Sequence, residues 1–516
     1  MSLSQPGFPL ISLLLILPLV GAALVALLPR QRTTLIKACA FATTVVVFGL
    51  SLPLYFGFGN LAGGFQFEEF RPWIPGLGIG YHVGVDGISL FLVLLTTLLS
   101  ALAVLSSWTA ITEQLKEYMI LMLLMETTMI GVFVSLDLFL FYVFWEASLI
   151  PMALLIGRWG GERRVYAAIK FFLFTLAGST LMLIAAIVLY FWGGGTSDLP
   201  VLLNTSLPAP LQVWLFAAFA LAFAVKVPLF PLHTWLPAAH VEAPTAGSVI
   251  LAGVLLKMGA YGYLRIALPL FPNAVSVFAP WLSILALIGI IYGALVALAQ
   301  EDVKSLVAYS SVAHMGFIIL GTFALTPQAV SGAVLQMVNH GLSTGALFLL
   351  VGVLYERRHT RLLKDFGGIW AKVPIFGSFF IITALSSVGL PGMNGFVGEF
   401  TILLGTFRVN VAYAAVATFG IVLAAWYLLV AVRRTLFGPL NPSNAGLTEM
   451  NLREIVVMLP LVAFFFIIGL FPNLFFEKIN PSTGRLTTQL AETALVVDWK
   501  SPAPDITNQH GIAHAH

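Results

Sequence analysis

Seven ionisable residues stand near the middle of long apolar runs in this 516-residue chain: Glu126, Glu146, Lys226, Lys257, His314, His340 and Glu399. They alternate acid, base and imidazole. Taking lysine or glutamate out of water penalises its charged form, and histidine titrates near neutrality unaided, so such a row suits proton transfer. Metal binding fits less well, because no ligand cluster with zinc spacing accompanies the histidines.

Each of these residues also has a plainer role open to it. Glu146, in FYVFWEASLIPM, is the natural counter-ion of Lys226. The two form either a switched pair that passes a proton toward Lys257 or a static brace for a broken helix. Lys257, in LLKMGAYGYLR, takes the central relay place, and its mid-span position argues against snorkelling to an interface. His314, in AYSSVAHMGF, and His340, in LQMVNHGLSTG, are relay groups or satisfied structural histidines. Glu399 is the terminal acid, a cap near a half-helix N-terminus, or both. His233, His240 and Glu242 lie past the first helix break, where they cap freed carbonyls or begin a proton intake path. Glu126, in LLMETTMIG, is expected to face a neighbouring subunit.

The surrounding composition says what must hold these groups. The chain is 59% hydrophobic and only 9% charged, against about a quarter charged in an ordinary soluble domain. Apolar runs long enough to cross about 30 Å of hydrocarbon recur from near residue 10 to residue 475. The expected fold is therefore an all-α polytopic membrane protein with about fourteen spans. They lie near 10–28, 35–56, 84–108, 117–135, 136–156, 168–192, 211–232, 244–268, 278–298, 305–322, 329–354, 374–407, 411–435 and 455–475. The first reads as a retained helix, since no basic stretch precedes it. Residues 60–83 read as an ordered loop or short strands, and the tail from Lys478 as polar and peripheral.

Loop charge sets the orientation. Of twenty-five Lys and Arg, seventeen fall in one family of loops, among them Arg30, Arg163, Lys304, Arg357 and Arg433. Six fall on the opposite side or in the tail: Arg71, Arg265, Arg408, Lys478, Arg485 and Lys500. The positive-inside rule then puts both termini outside, on the periplasmic or lumenal side. Lys226 and Lys257 are the two left within spans.

Two spans are interrupted. The seventh, LAFAVKVPLFPLHTWLPAAHVEAP, carries Pro228 and Pro231 just after Lys226; the twelfth, ALSSVGLPGMNGFVGEF, carries Gly389, Pro391, Gly392 and Gly395 just before Glu399. Paired breaks in corresponding halves point to inverted repeats around an ion site. The expected organisation is helices 1–3 (1–115), a first five-helix repeat (116–270), a second (271–436), and a last helix with tail (437–516).

The string PLHTWLPAAHVEAPTAGSVILAGVLLKMGAYGYLR closely resembles the central motif of the antiporter-like subunits of respiratory complex I and the photosynthetic NDH complex. FWEASLIPM, YSSVAHMGF and LPGMNGFVGEF resemble its other hallmarks in the right order, and the likeness covers about residues 10–475. Glu399 resembles the subunit M type (NuoM, NdhD, chain 4), since the NuoL and NuoN types carry lysine there. Lack of a long lateral helix after the last span agrees. The resemblance implies a proton channel with Glu146, Lys226, Lys257 and Glu399 as its functional row, and with His314 and His340 at family histidine positions. It implies NuoL/NdhF-like and NuoN/NdhB-like partners, a lipid bilayer, and no nucleic acid. It also implies a bacterial plasma membrane or a cyanobacterial thylakoid.

This reading makes the chain a proton-translocating part of an NAD(P)H or ferredoxin:quinone oxidoreductase. No cofactor is expected in the chain itself; quinone, FMN and iron–sulfur clusters belong to partners, and Cys39 alone cannot hold a cluster. The alternatives are a subunit of an Mrp-type Na⁺/H⁺ antiporter or membrane hydrogenase, and an inactive membrane scaffold.

Overall fold

The computed structural model describes residues 8–59 and 63–496. Among them, thirteen helices are long and apolar enough to cross a membrane. In chain order the crossings are α1 (Leu10–Leu27), α2 (Thr33–Gly57), α3 (Leu90–Ala110), α4 (Leu115–Val134), α5 (Leu138–Trp159), α6 (Arg164–Trp192) and α7 (Ala209–Lys226, continued by Trp235–Glu242). Next come α8 (Thr245–Leu270), α9 (Pro272–Leu298), α10 (Val303–Phe323) and α11 (Pro327–Arg358). The twelfth, α12, is built from two shorter pieces, Pro374–Val388 and Asn394–Val409, and α13 (Val411–Leu436) and α14 (Leu452–Leu470) follow. Fourteen crossings match the expectation from apolar run length.

In hydrocarbon every backbone group must be satisfied within the segment, so apolar runs of this length become helices. Several starts are fixed by side chains that accept orphan N–H bonds. Asp137 caps α5 (2.9 and 3.0 Å), Asp302 caps α10 (2.7 and 3.0 Å), Thr326 caps α11 (3.2 Å) and Asn410 caps α13 (3.1 Å).

The helices differ in how much of them faces outward. The most apolar windows of α8, α10 and α11 are 100%, 94% and 94% buried, whereas those of α2, α6 and α14 are 28%, 33% and 33% buried. Three of the row residues, Lys257, His314 and His340, therefore belong to the three innermost helices.

Both interruptions are real, and protein groups satisfy the backbone at each. After Lys226 the chain turns through Pro228 and Pro231 before α7 resumes at Trp235. There the Trp235 indole donates to the Val225 carbonyl at 2.9 Å. In α12, Gly389 closes the first piece at φ 84° and Gly392 turns the chain at φ 91°, a left-handed region open to glycine.

The segment between α2 and α3 forms an antiparallel hairpin, β1 (Gln66–Ile74) with β2 (Ile79–Val85), with Phe70 opposite His82. The tail expectation needs correction. Asn473–Val496 is a fifteenth helix, α15, whose Ile479, Ser482, Thr483 and Leu486 are buried, with Thr483 2.7 Å from Ser331 of α11. Ile479, Leu486 and Leu490 share its buried face with small hydroxyl side chains, so a run too hydrophilic to cross can still pack lengthwise. Arg265, counted above as a loop residue, instead lies inside α8, 7% exposed and ion-paired with Asp86.

Candidate proton-transfer row

Lys257 is wholly buried in α8 between two π-helical turns, Leu251–Leu255 and Tyr263–Ala267. Such turns shift the backbone bonding by one residue and recur at functional sites. The Lys257 ammonium donates to the Ala252 carbonyl, and its second partner is His340 Nδ1 at 2.7 Å. That contact depends on a close helix crossing. A Cβ on Gly341 would stand 2.8 Å from the Gly253 carbonyl oxygen and 2.6 Å from Leu95 Cδ2, so glycine at 341 lets α11 approach α8 beside His340.

The row continues through imidazoles. The His340 and His314 rings lie 5.7 Å apart, inclined at 44°. His314, on α10, sets Nδ1 2.8 Å from Glu399 Oε1 and Nε2 3.3 Å from the Tyr427 hydroxyl of α13. Glu399 stands in the second turn of the second piece of α12, and its Oε1 also accepts from Gln336 Nε2 at 3.0 Å. Its carboxyl is thus engaged by side chains of α10 and α11 and caps nothing. Lys257, His340, His314 and Glu399 come from four helices, are at most 4% exposed, and form one buried set.

Lys226 and Glu146 lie apart from that set. Lys226 ends the first piece of α7 and is 1% exposed, with no hydrogen bond on its ammonium, which faces the rings of Trp145 (5.2 Å) and Phe171 (5.9 Å). Glu146 is the acid whose charge acts on it. Its Oε1 is buried and also without a partner, so the pair is open here. The break in α7 lies directly against α8, since a Cβ on Gly259 would meet the Val227 nitrogen at 3.0 Å.

The flanking candidates divide. His240 is wholly buried, stacks on Phe348 at 4.7 Å, and has neither ring nitrogen bonded. His233 stacks on Phe230 with Nδ1 unbonded. Neither caps a carbonyl through those nitrogens. Glu242 does serve the backbone, accepting from Arg163 N at 3.0 Å. Glu126 is a correction: it is 0% exposed, with both oxygens unbonded, so it sits inside the bundle rather than on a face open to a neighbour.

Several polar groups escaped the sequence reading. Gln336 donates to Glu399, Asn339 donates to Gln336, and Tyr427 meets His314 on its other side. Lys304 is 7% exposed, and donates to the carbonyls of Ala243 (2.5 Å) and Val241 (3.2 Å) at the end of α7. Spacing gave weak signals: Gln336 and Asn339 are one turn and one residue before His340.

A family model described as the transmembrane region of NADH:quinone oxidoreductase and Mrp antiporters matches residues 135–424. The chain belongs to this family. The matched NADH:quinone oxidoreductase/Mrp antiporter region contains both helix breaks and the row from Glu146 to Glu399. Among curated relatives, NADH-quinone oxidoreductase subunit M of Rhodobacter capsulatus is 48% identical over 496 residues, covering 92% of this chain and 96% of the relative. NADH-ubiquinone oxidoreductase chain 4 of Marchantia polymorpha is 43% identical, covering 93% and 97%. In the solved respiratory complex I from Thermus thermophilus with bound NADH, one chain matches with TM-score 0.87 and 35% identity, covering 93% of this chain and 99% of that one. The Mrp complex from Dietzia, at 22% identity and TM-score 0.79, shares the fold.

Proposed function

We propose that this chain is the subunit M (chain 4) type of membrane-arm subunit in an NADH:quinone oxidoreductase, and that it translocates protons along its buried row. The observation that carries the reading is the contact of Lys257 with His340 at 2.7 Å and of His314 with Glu399 at 2.8 Å, the two pairs joined by imidazoles 5.7 Å apart. Membrane-depth ionisable groups that face one another mark proton relays.

In this proposal Lys226 exchanges its proton under the control of Glu146. With the pair open, the proton moves on to Lys257; closing the pair brings a new proton to Lys226. From Lys257 it passes to His340, His314 and Glu399, which releases it outward. His240 and His233, unbonded and next to the break, belong to the intake path, with Glu242 holding the adjoining loop. The repeats are taken as 116–270 and 271–436, related by the breaks in α7 and α12 and flanked by 1–115 and 437–516.

Electron transfer, with its quinone, flavin and iron–sulfur clusters, is assigned to partners. The partners proposed are NuoL/NdhF-like and NuoN/NdhB-like subunits. The bacterial relatives at 42–48% identity favour a bacterial plasma membrane, and the loop charges favour both termini on its outer side. The antiporter alternative rests on the family model shared with Mrp antiporters and on a fold match at 22% identity. Reconstituting the complex in sealed vesicles with Glu399→Ala tests the proposal: electron transfer without this subunit's share of pumping supports it, and unaltered pumping refutes it.

A further inference from the structure

The terminal acid is held by amides as well as by an imidazole. Glu399 Oε1, the oxygen facing His314, accepts from Gln336 Nε2 at 3.0 Å. Gln336 Oε1 in turn accepts from Asn339 Nδ2 at 3.2 Å, and that nitrogen also donates to the Asn394 carbonyl at 2.7 Å. Asn394 opens the second piece of α12, and its side-chain oxygen accepts from Ser386 Oγ, across the break, at 2.6 Å.

These amides are buried: Gln336 is 3% exposed, Asn339 1% and Asn394 0%. Space has been left for them. A Cβ on Gly398 would stand 2.2 Å from Gln336 Oε1 and 2.8 Å from Asn339 Nδ2, so a side chain at 398 would expel them. An amide of fixed orientation beside a carboxylate does what a solvating water would do without moving. It stabilises the charged acid and sets which oxygen meets the histidine.

We infer that Gln336 is a positioning residue for the terminal acid, fastening the Glu399 carboxyl in line with His314 and, through Asn339, to both pieces of the broken helix. The break and the acid then move together. Displacement of the second piece of α12 acts on the Asn394–Asn339 contact and on the Glu399–His314 contact together. The inference rests on the proton-row reading. The titratable groups around Glu399 are His314 of α10 and Tyr427 of α13, with His340 of α11 and Lys257 of α8 behind them.

The test uses the intact complex in sealed vesicles, with NADH oxidation and proton uptake followed across pH in Glu399→Gln, Gln336→Met and Gln336→Glu. Gln336→Met, which removes the donor to Glu399 Oε1, should alter the pH profile of pumping. It should also shift the infrared carboxyl band that Glu399→Gln deletes. Gln336→Glu, which donates only when protonated, should approach normal pumping at the acid end alone. An unchanged profile and band in Gln336→Met, with pumping lost in Glu399→Gln, overturns the positioning role and leaves the row standing. Normal pumping in Glu399→Gln removes the row and this inference with it. If Gln336→Met does not assemble, Gln336→Glu decides by the same criteria: a normal band and profile overturn the role.

Discussion

Lys257 Nζ meets His340 Nδ1 at 2.7 Å because α8 and α11 cross at Gly253 and Gly341 with no side chain between them. Gly341→Ala should therefore separate the pair while leaving both residues in place. Overpacking of this kind costs about 1–3 kcal/mol. The expected outcome is earlier thermal inactivation of the complex together with reduced pumping; a variant that matches the wild type in both shows the crossing to be slack.

Glu126 invites the opposite kind of change. Four other buried acids, Asp86, Asp137, Glu399 and Glu454, each have hydrogen-bond partners, while Glu126 oxygens have none among the described residues. An apolar side chain of similar volume avoids an unmet polar group worth about 1–3 kcal/mol. Glu126→Leu should raise the temperature of thermal inactivation. A lower temperature would show that the carboxyl has a function or partner that burial conceals.

The β1–β2 hairpin carries a pH dependence. Burial alone would lower the His82 pKa, but hydrogen bonds and charge from Asp198 (2.6 Å) and Glu68 (3.4 Å) prevail and raise it to about 9. A value raised from 6.5 in the folded state contributes stability that is complete below pH 6.5 and is lost as pH rises through about 9. Hydrogen exchange in β1 and β2 should accelerate over that window beyond its intrinsic rise. In His82→Gln the excess should vanish; if it persists, the histidine is not its source.

Lys304 ties the end of α7 to α10 through two carbonyls, and Arg361 donates to the Val241 carbonyl at 2.8 Å. Lys304→Met leaves the Ala243 carbonyl without this donor, a loss of about 1–3 kcal/mol. Protease sensitivity of the loop after Glu242 should increase. Unchanged cleavage would mean that Arg361 alone holds this seam.

The spans and both breaks were legible because hydrocarbon thickness and missing backbone donors constrain sequence directly. Lys257, His314, His340 and Glu399 stood out because ionisable groups are costly at that depth. Gln336, Asn339 and Tyr427 did not, since uncharged polar residues occur in helices for many reasons and only the fold brings them to Glu399. Arg265 was misplaced because its partner, Asp86, is 179 residues away. Glu126 was misdirected because sequence gives depth in the membrane but not the direction a side chain faces. The α15 helix was missed because its one-sided apolar pattern is too weak for a span.

The central claim is that protons cross through the buried row, and Lys257 is the member tied both to a carbonyl of its own helix and to His340 of α11. Proton uptake per NADH oxidised, measured in sealed vesicles bearing the complex with Lys257→Ala, tests it most directly. The account predicts a lower ratio of protons to electrons in a fully assembled complex. A ratio equal to that of the wild type would contradict it.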